Sequence, residues 1–483
     1  MLSNQQQSAA DELQPIKVKS QAAESWFFVK KPRFLRPIYT SFFLGLFQFK
    51  EEEKMYQPIK KVGMLIVLVS IAFLLLESSA LGEKVTLKWL EWEDVTQRKA
   101  TGEIIRAFEW MHPNVKVEFV GYSGDLESQQ KLLAQMVAGT APDVLTGWDY
   151  IPWTWASKNQ LLDLRPYVEK YLTKEQISQF YPVIWNWFVY EGKRIAVPKY
   201  TSPMVLYYNV DAFDEVGLSY PTKDWTWDDL LKAAQKLTKK ENGRIVRFGF
   251  QESVELYRLC MWIWQNGGRI HPEDNRSVCT LDEPKAIEAM QFIHDLTWKY
   301  NVSPKPGQAL RTATDEAMEA NFIAGKVAMT EQGSWCMAYF PEQCKFEFNV
   351  AHLPKGPVKR ATMITTDCFA VYKNTKHPDL AAELAIFAAG PVGAWWNQKY
   401  AAMQAALKPI AEVFPEMFPE KYNTKVFQEA MAYGIPSPVM NKQKEFIDMF
   451  NAARDQAFVL NKISVEEAMK EFVSKVNKML QSS

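Results

Sequence analysis

The order of elements between Val85 and Leu145 constrains the fold most. Val85 to Leu90 reads as a strand. Residues 96–111 carry a helical pattern that His112-Pro113 stops, because the residue before proline is pushed out of the helical region. Val115 to Val120 alternates apolar and polar, the mark of a second strand. Residues 125–138 read as an amphipathic helix ended by Gly139, and Asp143-Val144-Leu145 as a short third strand. This β-α-β-α-β order implies an α/β fold on a parallel sheet, with ligands expected at the carboxyl ends of the strands. A second unit follows. Thr226 is placed to cap a helix over 227–240, with Asp229 closing a capping box and Asn242-Gly243 ending it in a turn. Further helices are expected at 254–266, 283–300, 314–324, 378–389 and 464–480.

At 483 residues the chain exceeds one ordinary core, so at least two domains are expected. The 56 basic and 56 acidic side chains cancel, which argues against a nucleic-acid binder. The balance is uneven along the chain. Residues 1–82 hold ten basic and seven acidic groups, leaving 46 against 49 for the remainder.

That basic excess coincides with an export signal. Lys60-Lys61 precedes an apolar run from Val62 to Leu76, too short for the roughly 20 residues that span a bilayer but right for a signal-peptide core. Ser78-Ser79-Ala80 supplies small residues for cleavage after Ala80, so residues 55–80 are expected to be a signal peptide. No cysteine follows the run, so a periplasmic or extracellular protein without a lipid anchor is expected. Residues 1–54 precede that signal. Lys50-Glu51-Glu52-Glu53-Lys54 is encoded only by purines and can spell a ribosome-binding site before Met55, so 1–54 is expected to be a mis-annotated extension.

The chain has no GxGxxG, P-loop, HExxH or GxSxG motif, and no cysteine–histidine set at zinc spacing. No cofactor, metal or catalytic residue is expected. His112 and His377 each stand before a proline and read as turn residues. The five cysteines read as small buried residues, with at most one disulfide expected.

Six segments, in order, resemble the family 1 extracellular solute-binding proteins of bacterial ABC importers, the maltose-binding-protein group. Ala138-Gly139-Thr140-Ala141-Pro142-Asp143-Val144 is similar to AGxAPDV. Ala196-Val197-Pro198 with Leu206-Tyr207-Tyr208-Asn209 is similar to the strand entering the second lobe. Thr226-Trp227-Asp228-Asp229-Leu230 resembles TWDEL, and Phe322 to Met329 resembles FxxGKxAM. Leu353 to Pro357 and Lys376-His377-Pro378 complete the series. The resemblance covers about 85–480 and implies a two-lobed periplasmic-binding type II fold. It places lobe one at 83–199 with 370–415 and lobe two at 205–365 with 420–483. Hinge crossovers fall near 200–205, 365–370 and 415–420.

The implied function is capture of a carbohydrate, in particular an oligosaccharide, in an interlobe cleft, and its delivery to permease subunits by hinge closure. A monomer without nucleic-acid partners is expected. Sugars offer apolar faces to aromatic rings and hydroxyls to carboxylates, and 17 tryptophans suit that chemistry. From lobe one the candidates are Glu91, Trp92 and Glu93 after the first strand, and Trp148 and Asp149 after the third. From lobe two they are Trp335, in a segment resembling the family's GxW, with Glu331 before it, and Trp262. Asp367 would come from a crossover. Trp153, Trp155, Trp225, Trp227, Trp395 and Trp396 read as packing or structural residues. Pro436 to Asn441 lacks the aromatic stacker of the maltose-binding protein, which leaves Met440 or Asn441 to face the cleft and puts maltodextrin specificity in question. The rivals are a binder of a polyol, peptide or other non-sugar solute, and a glycoside hydrolase with two carboxyls about 5 or 6.5–9.5 Å apart.

Mass spectrometry of the native protein is expected to find an N-terminus at Leu81 and no peptide from 1–54. A natural peptide from that stretch overturns the assigned start.

Overall fold

The computed structural model describes residues 84–124, 126–305 and 315–482. The expected signal peptide and the extension before it lie outside them.

The opening segments fold as their periodicity demands. Strand β1 (Val85–Trp92), helix α1 (Val95–Met111), β2 (Val115–Tyr122), α2 (Leu126–Ala138) and β3 (Val144–Trp148) follow in order. Asp94 caps α1 by accepting the Thr96 and Gln97 N–H groups at 3.0 Å, and His112 stands at its C-cap. β1 runs parallel to β2 from Val85↔Val115 to Trp92↔Tyr122, and parallel to β3. Two later strands join the far edge: β4 (Val197–Pro198) and, from near the other end of the chain, Asp367–Val371. The latter is antiparallel to β3 and pairs Asp367 with Trp148.

The second sheet is antiparallel. After β5 (Ser202–Pro203), strand β6 (Val205–Asn209) is its centre. All five residues of β6 are buried, because both of its faces are covered. Leu206 and Tyr208 enter one core, while Val205 and Tyr207 enter another. Helix α3 (Trp227–Leu237) opens with the expected capping box: Thr226 Oγ1 accepts from Asp229 N, and the Asp229 carboxylate accepts from Thr226 N. It ends three residues before the expected 240. Thr238 leaves the helical region, and its hydroxyl donates back to the Ala234 carbonyl. The chain then forms a hairpin that the sequence reading missed, β7 (Lys239–Glu241) and β8 (Arg244–Arg247). Asn242 and Gly243 both take positive φ, as a two-residue hairpin turn requires.

Helices α4 (Leu256–Gln265), α5 (Pro284–Trp298) and α6 (Asp315–Ile323) follow, then β9 (Met329–Gln332) and β10 (Phe348–Ala351), which flank β6. Next come β11 (Thr362–Thr365) and β12 (Asp367–Val371), the strand already met in the first sheet. Helix α7 (Pro378–Ala389), with His377 at its N-cap, and α8 (Pro391–Ala401) return to the first sheet, where α8 packs on α1. Phe414, Val426 and Phe427 pack with Tyr207, so the chain has reached the second core ahead of the expected 415–420 crossing. Strand β13 (Gly434–Pro436) leads to α9 (Gln443–Arg454) and α10 (Val465–Gln481), which pack on the α4–α5 core.

Between the two sheets, β13, β11 and β5 form a third, three-stranded sheet. It gathers segments from three distant stretches of chain. All five cysteines are free and four of them are buried, in keeping with the reading of small buried residues. Cys336 and Cys368, for example, sit in the separate cores of the second and first sheets.

The Thr226 box is expected to be worth about 1 kcal/mol, the usual value of a cap. Urea denaturation of Thr226→Ala should show a loss of that size.

Candidate functional site

The carboxyl ends of the parallel strands open onto a cleft of about 830 Å³. One wall carries Trp92 at the end of β1, Ser123 and Gly124 after β2, Trp148 at the end of β3, and Asp149 and Tyr150 after it. The opposite wall carries Glu255 and Tyr257 at the start of α4, Glu316 and Glu319 from α6, and Trp335 and Tyr339 after β9. Tyr200, Met204, Thr365, Asp367, Ser437 and Pro438 come from the crossing segments between them.

Each wall presents an indole ring laid over a glycine. A β-carbon at Gly124 would stand 2.5 Å from the Trp92 ring, and one at Gly333 would stand 1.9 Å from the Trp335 ring. Only glycine lets the rings lie so close to the backbone. Their N–H groups are anchored to carboxylates: Trp92 Nε1 donates to Asp367 Oδ2 at 2.5 Å, and Trp335 Nε1 to Glu319 Oε1 at 2.8 Å. The indole faces, half-buried, are thereby held in fixed positions. Behind Trp335 lies the Arg258 guanidinium, 5.9 Å from the ring centroid.

Two carboxyls are buried in the cleft lining. Asp149 has a positive φ of 41°. It is held by the crossover, accepting from Thr365 Oγ1 at 3.0 Å and from Thr366 N at 3.2 Å. Burial pushes its pKa up to about 7, against the lowering effect of those donors. Asp367 also accepts from the Tyr200 hydroxyl at 3.0 Å, and burial pushes it up to about 6, although nearby Lys199 opposes the shift.

Of the sequence candidates, Trp92, Trp148, Asp149, Trp335 and Asp367 line one cleft. The other four do not. Glu91 points inward and accepts from Lys199 Nζ at 2.9 Å. Glu93 is exposed outside the lining. Trp262 is fully buried among Trp227, Phe250 and Phe292, and its indole donates to the buried Glu331. Strand alternation explains Glu91, which lies one position out of phase with Trp92. Helix α4 turns Trp262 into the core. Met440 is buried in the α9–α10 core and Asn441 bonds to Ser277, so neither faces the cleft; Ser437 and Pro438 do. Trp153 and Trp155 are core residues, as expected.

The tyrosines were missed. Tyr150, Tyr200, Tyr257 and Tyr339 all line the cleft, and of them only Tyr150 could have been found by the strand-end rule. Six lining residues are acidic (Asp94, Asp149, Glu255, Glu316, Glu319 and Asp367), and among the described lining residues none is basic.

The family model for "Bacterial extracellular solute-binding protein" matches residues 92–395. A probable ABC transporter-binding protein of Deinococcus radiodurans is 28% identical over 313 residues, which is 62% of this chain and 70% of that one. The sn-glycerol-3-phosphate-binding periplasmic protein of Shigella dysenteriae is 25% identical over 268 residues, 53% of this chain and 58% of that one. Among solved structures, the ABC substrate-binding protein Lmo0181 of Listeria monocytogenes, in complex with cycloalternan, superimposes with a TM-score of 0.75. It is 25% identical, covering 83% of this chain and 100% of that one.

The raised Asp149 carboxyl sets a pH dependence. The folded chain keeps a proton that the unfolded chain, with its ordinary value of 3.8, has released. Stability therefore falls as pH rises from about 4 to about 7. Asp149→Asn is expected to reduce the slope in that window, leaving the smaller part that Asp367 contributes between about 4 and about 6, measured by urea denaturation at stepped pH.

Proposed function

This chain belongs to the bacterial extracellular solute-binding proteins, and on that premise we propose that it captures an oligosaccharide for an ABC importer. Its relatives are substrate-binding proteins of the sugar or glycerol-phosphate type, and proteins of this kind deliver ligand to a permease. The choice between the two ligand types rests on the cleft. Rings on both walls suit the apolar faces of sugars, and the carboxylates and hydroxyls around them suit sugar hydroxyls. A phosphate ester would meet six acidic side chains and, among the described residues, no basic one. This observation carries the carbohydrate reading. The cleft volume falls in the upper part of the range for small-molecule sites, about 300–1,000 Å³, which favours more than one sugar ring.

The two main sheets with their helices are the lobes in this reading, and the β5–β11–β13 sheet is the hinge. A ligand touching both walls has more contacts in the closed state, so it shifts the population towards closure. A permease that docks the closed state is linked to ligand binding by the same free energy. Export by cleavage after Ala80 fits this role. No helix among the described residues is long and apolar enough to cross a membrane.

A thermal-shift screen of mono- and oligosaccharides against sn-glycerol 3-phosphate, polyols and peptides tests the reading. A ligand that binds only the native state raises the melting temperature by mass action. An oligosaccharide is expected to give the largest shift, and a shift by another solute with none by sugars overturns the substrate class. Calorimetry on Trp335→Ala should then show a loss of roughly 1–3 kcal/mol in sugar binding, by analogy with base–aromatic stacking. Unchanged affinity removes Trp335 from the site.

A further inference from the structure

The charge of the cleft narrows its ligand further than its shape does. This step rests on the carbohydrate reading above. Six acidic side chains line the cleft, drawn from both walls and the crossing segments, and among the described lining residues there is no lysine, arginine or histidine. The nearby cations lie behind the lining and are engaged by protein groups. Lys199 is 1% exposed and bonds to Glu91 and Gln97. Arg258 is fully buried, donating to the Glu331 carbonyl and the Gln332 amide. Arg454, 7% exposed, contacts Glu255 and Asp455. Four of the six carboxylates are partly offset: Asp94 by the N-terminus of α1, Glu255 by Arg454, Asp149 by Arg258 and Asp367 by Lys199. Glu316 and Glu319 remain, both from α6 on the second wall.

A neutral sugar needs hydrogen-bond partners, which donors and acceptors of either charge can supply. A lining of one sign, between low-dielectric walls, concentrates the opposite charge. The same lumen holds seven aromatic rings, whose faces attract cations. Ser437 Oγ is buried in the cleft lining, with the residue 1% exposed, and has no hydrogen-bond partner among the described residues.

We propose that the cleft selects an amino sugar, an oligosaccharide carrying protonated amines, with the rings holding the sugar faces and the carboxylates of Glu316 and Glu319 holding the ammonium groups. An ammonium–carboxylate hydrogen bond is charge-assisted and stronger than a hydroxyl–carboxylate one. Burial leaves Asp149 and Asp367 poorly disposed to ionise in the empty cleft, and a bound cation stabilises their charged forms.

The test is calorimetry at pH 6 and low salt with glucosamine, its β-1,4 dimer and its trimer. Each is matched to the N-acetylated compound of the same length, which keeps the ring and loses the charge. Maltotriose, spermidine and sn-glycerol 3-phosphate complete the panel. At least one amine is expected to bind about tenfold or more tightly than its acetylated partner, with the ratio shrinking as salt screens the charge. In Glu316→Gln/Glu319→Gln the ratio should fall towards one. Glutamine at 319 still accepts the Trp335 indole N–H, so the ring keeps its anchor. Equal affinities within the pairs, or binding of maltotriose with no amino sugar bound, overturns the charge assignment but leaves the carbohydrate reading standing. Spermidine binding as tightly as the amino sugars removes the sugar from the proposal. Binding of sn-glycerol 3-phosphate with no sugar bound overturns both.

Discussion

The cleft depends on three segments, far apart in sequence, meeting in one small sheet. Ser202–Pro203, Thr362–Thr365 and Gly434–Pro436 pair between the two main sheets. The buried carboxyls of the lining are bonded to this junction. Asp149 reaches Thr365 and Thr366, and Asp367 takes the hydroxyl of Tyr200 and the indole N–H of Trp92. A residue at the end of a strand is thus tied to the segment that crosses between the two main sheets. These bonds hold the lining together and set the position of one ring against the crossing.

The rings repeat one construction on both walls. An indole lies on a glycine, and its N–H is fixed by a carboxylate. Neither feature alone suffices: the glycine lets the ring lie flat, and the hydrogen bond chooses its direction. A rigid ring loses little freedom when it meets a ligand, so more of the contact energy appears as affinity. The cost is a carboxylate at each shelf, and these carboxylates contribute to the negative lining. Ring placement and charge are therefore coupled in this cleft.

Several site residues were legible because a local rule located them. The carboxyl ends of the parallel strands open onto the cleft, and that rule located Trp92, Trp148 and Asp149 in its lining. The same rule carried Glu91 and Glu93 along with Trp92, although the pleat turns neighbouring side chains to opposite faces. Trp262 failed for a different reason. Eight of the nine other residues of its helix are also buried, so hydrophobic pattern could not say which side met the ligand. Tyr257 and Tyr339 had no local signal, since they face the cleft only through the packing of their elements against the rest of the second lobe. The hairpin at Asn242-Gly243 was legible in its turn residues but read as a helix end, because the lysine-rich strand before it also suits a helix.

By itself, the sequence determined the alternation of strands and helices, the cap at Thr226, and the parallel start of the first sheet. It also carried the family, through six short segments in order. These are properties of neighbouring residues, set by periodicity, capping and turn geometry. Tertiary structure alone decided that Trp262 is core, that Tyr200, Tyr257 and Tyr339 enter the cleft, and that its described lining has no positive side chain. Those outcomes depend on contacts between residues up to 275 positions apart, such as Trp92 and Asp367. No local pattern records such contacts, because they exist only once the crossing segments have brought the two walls face to face.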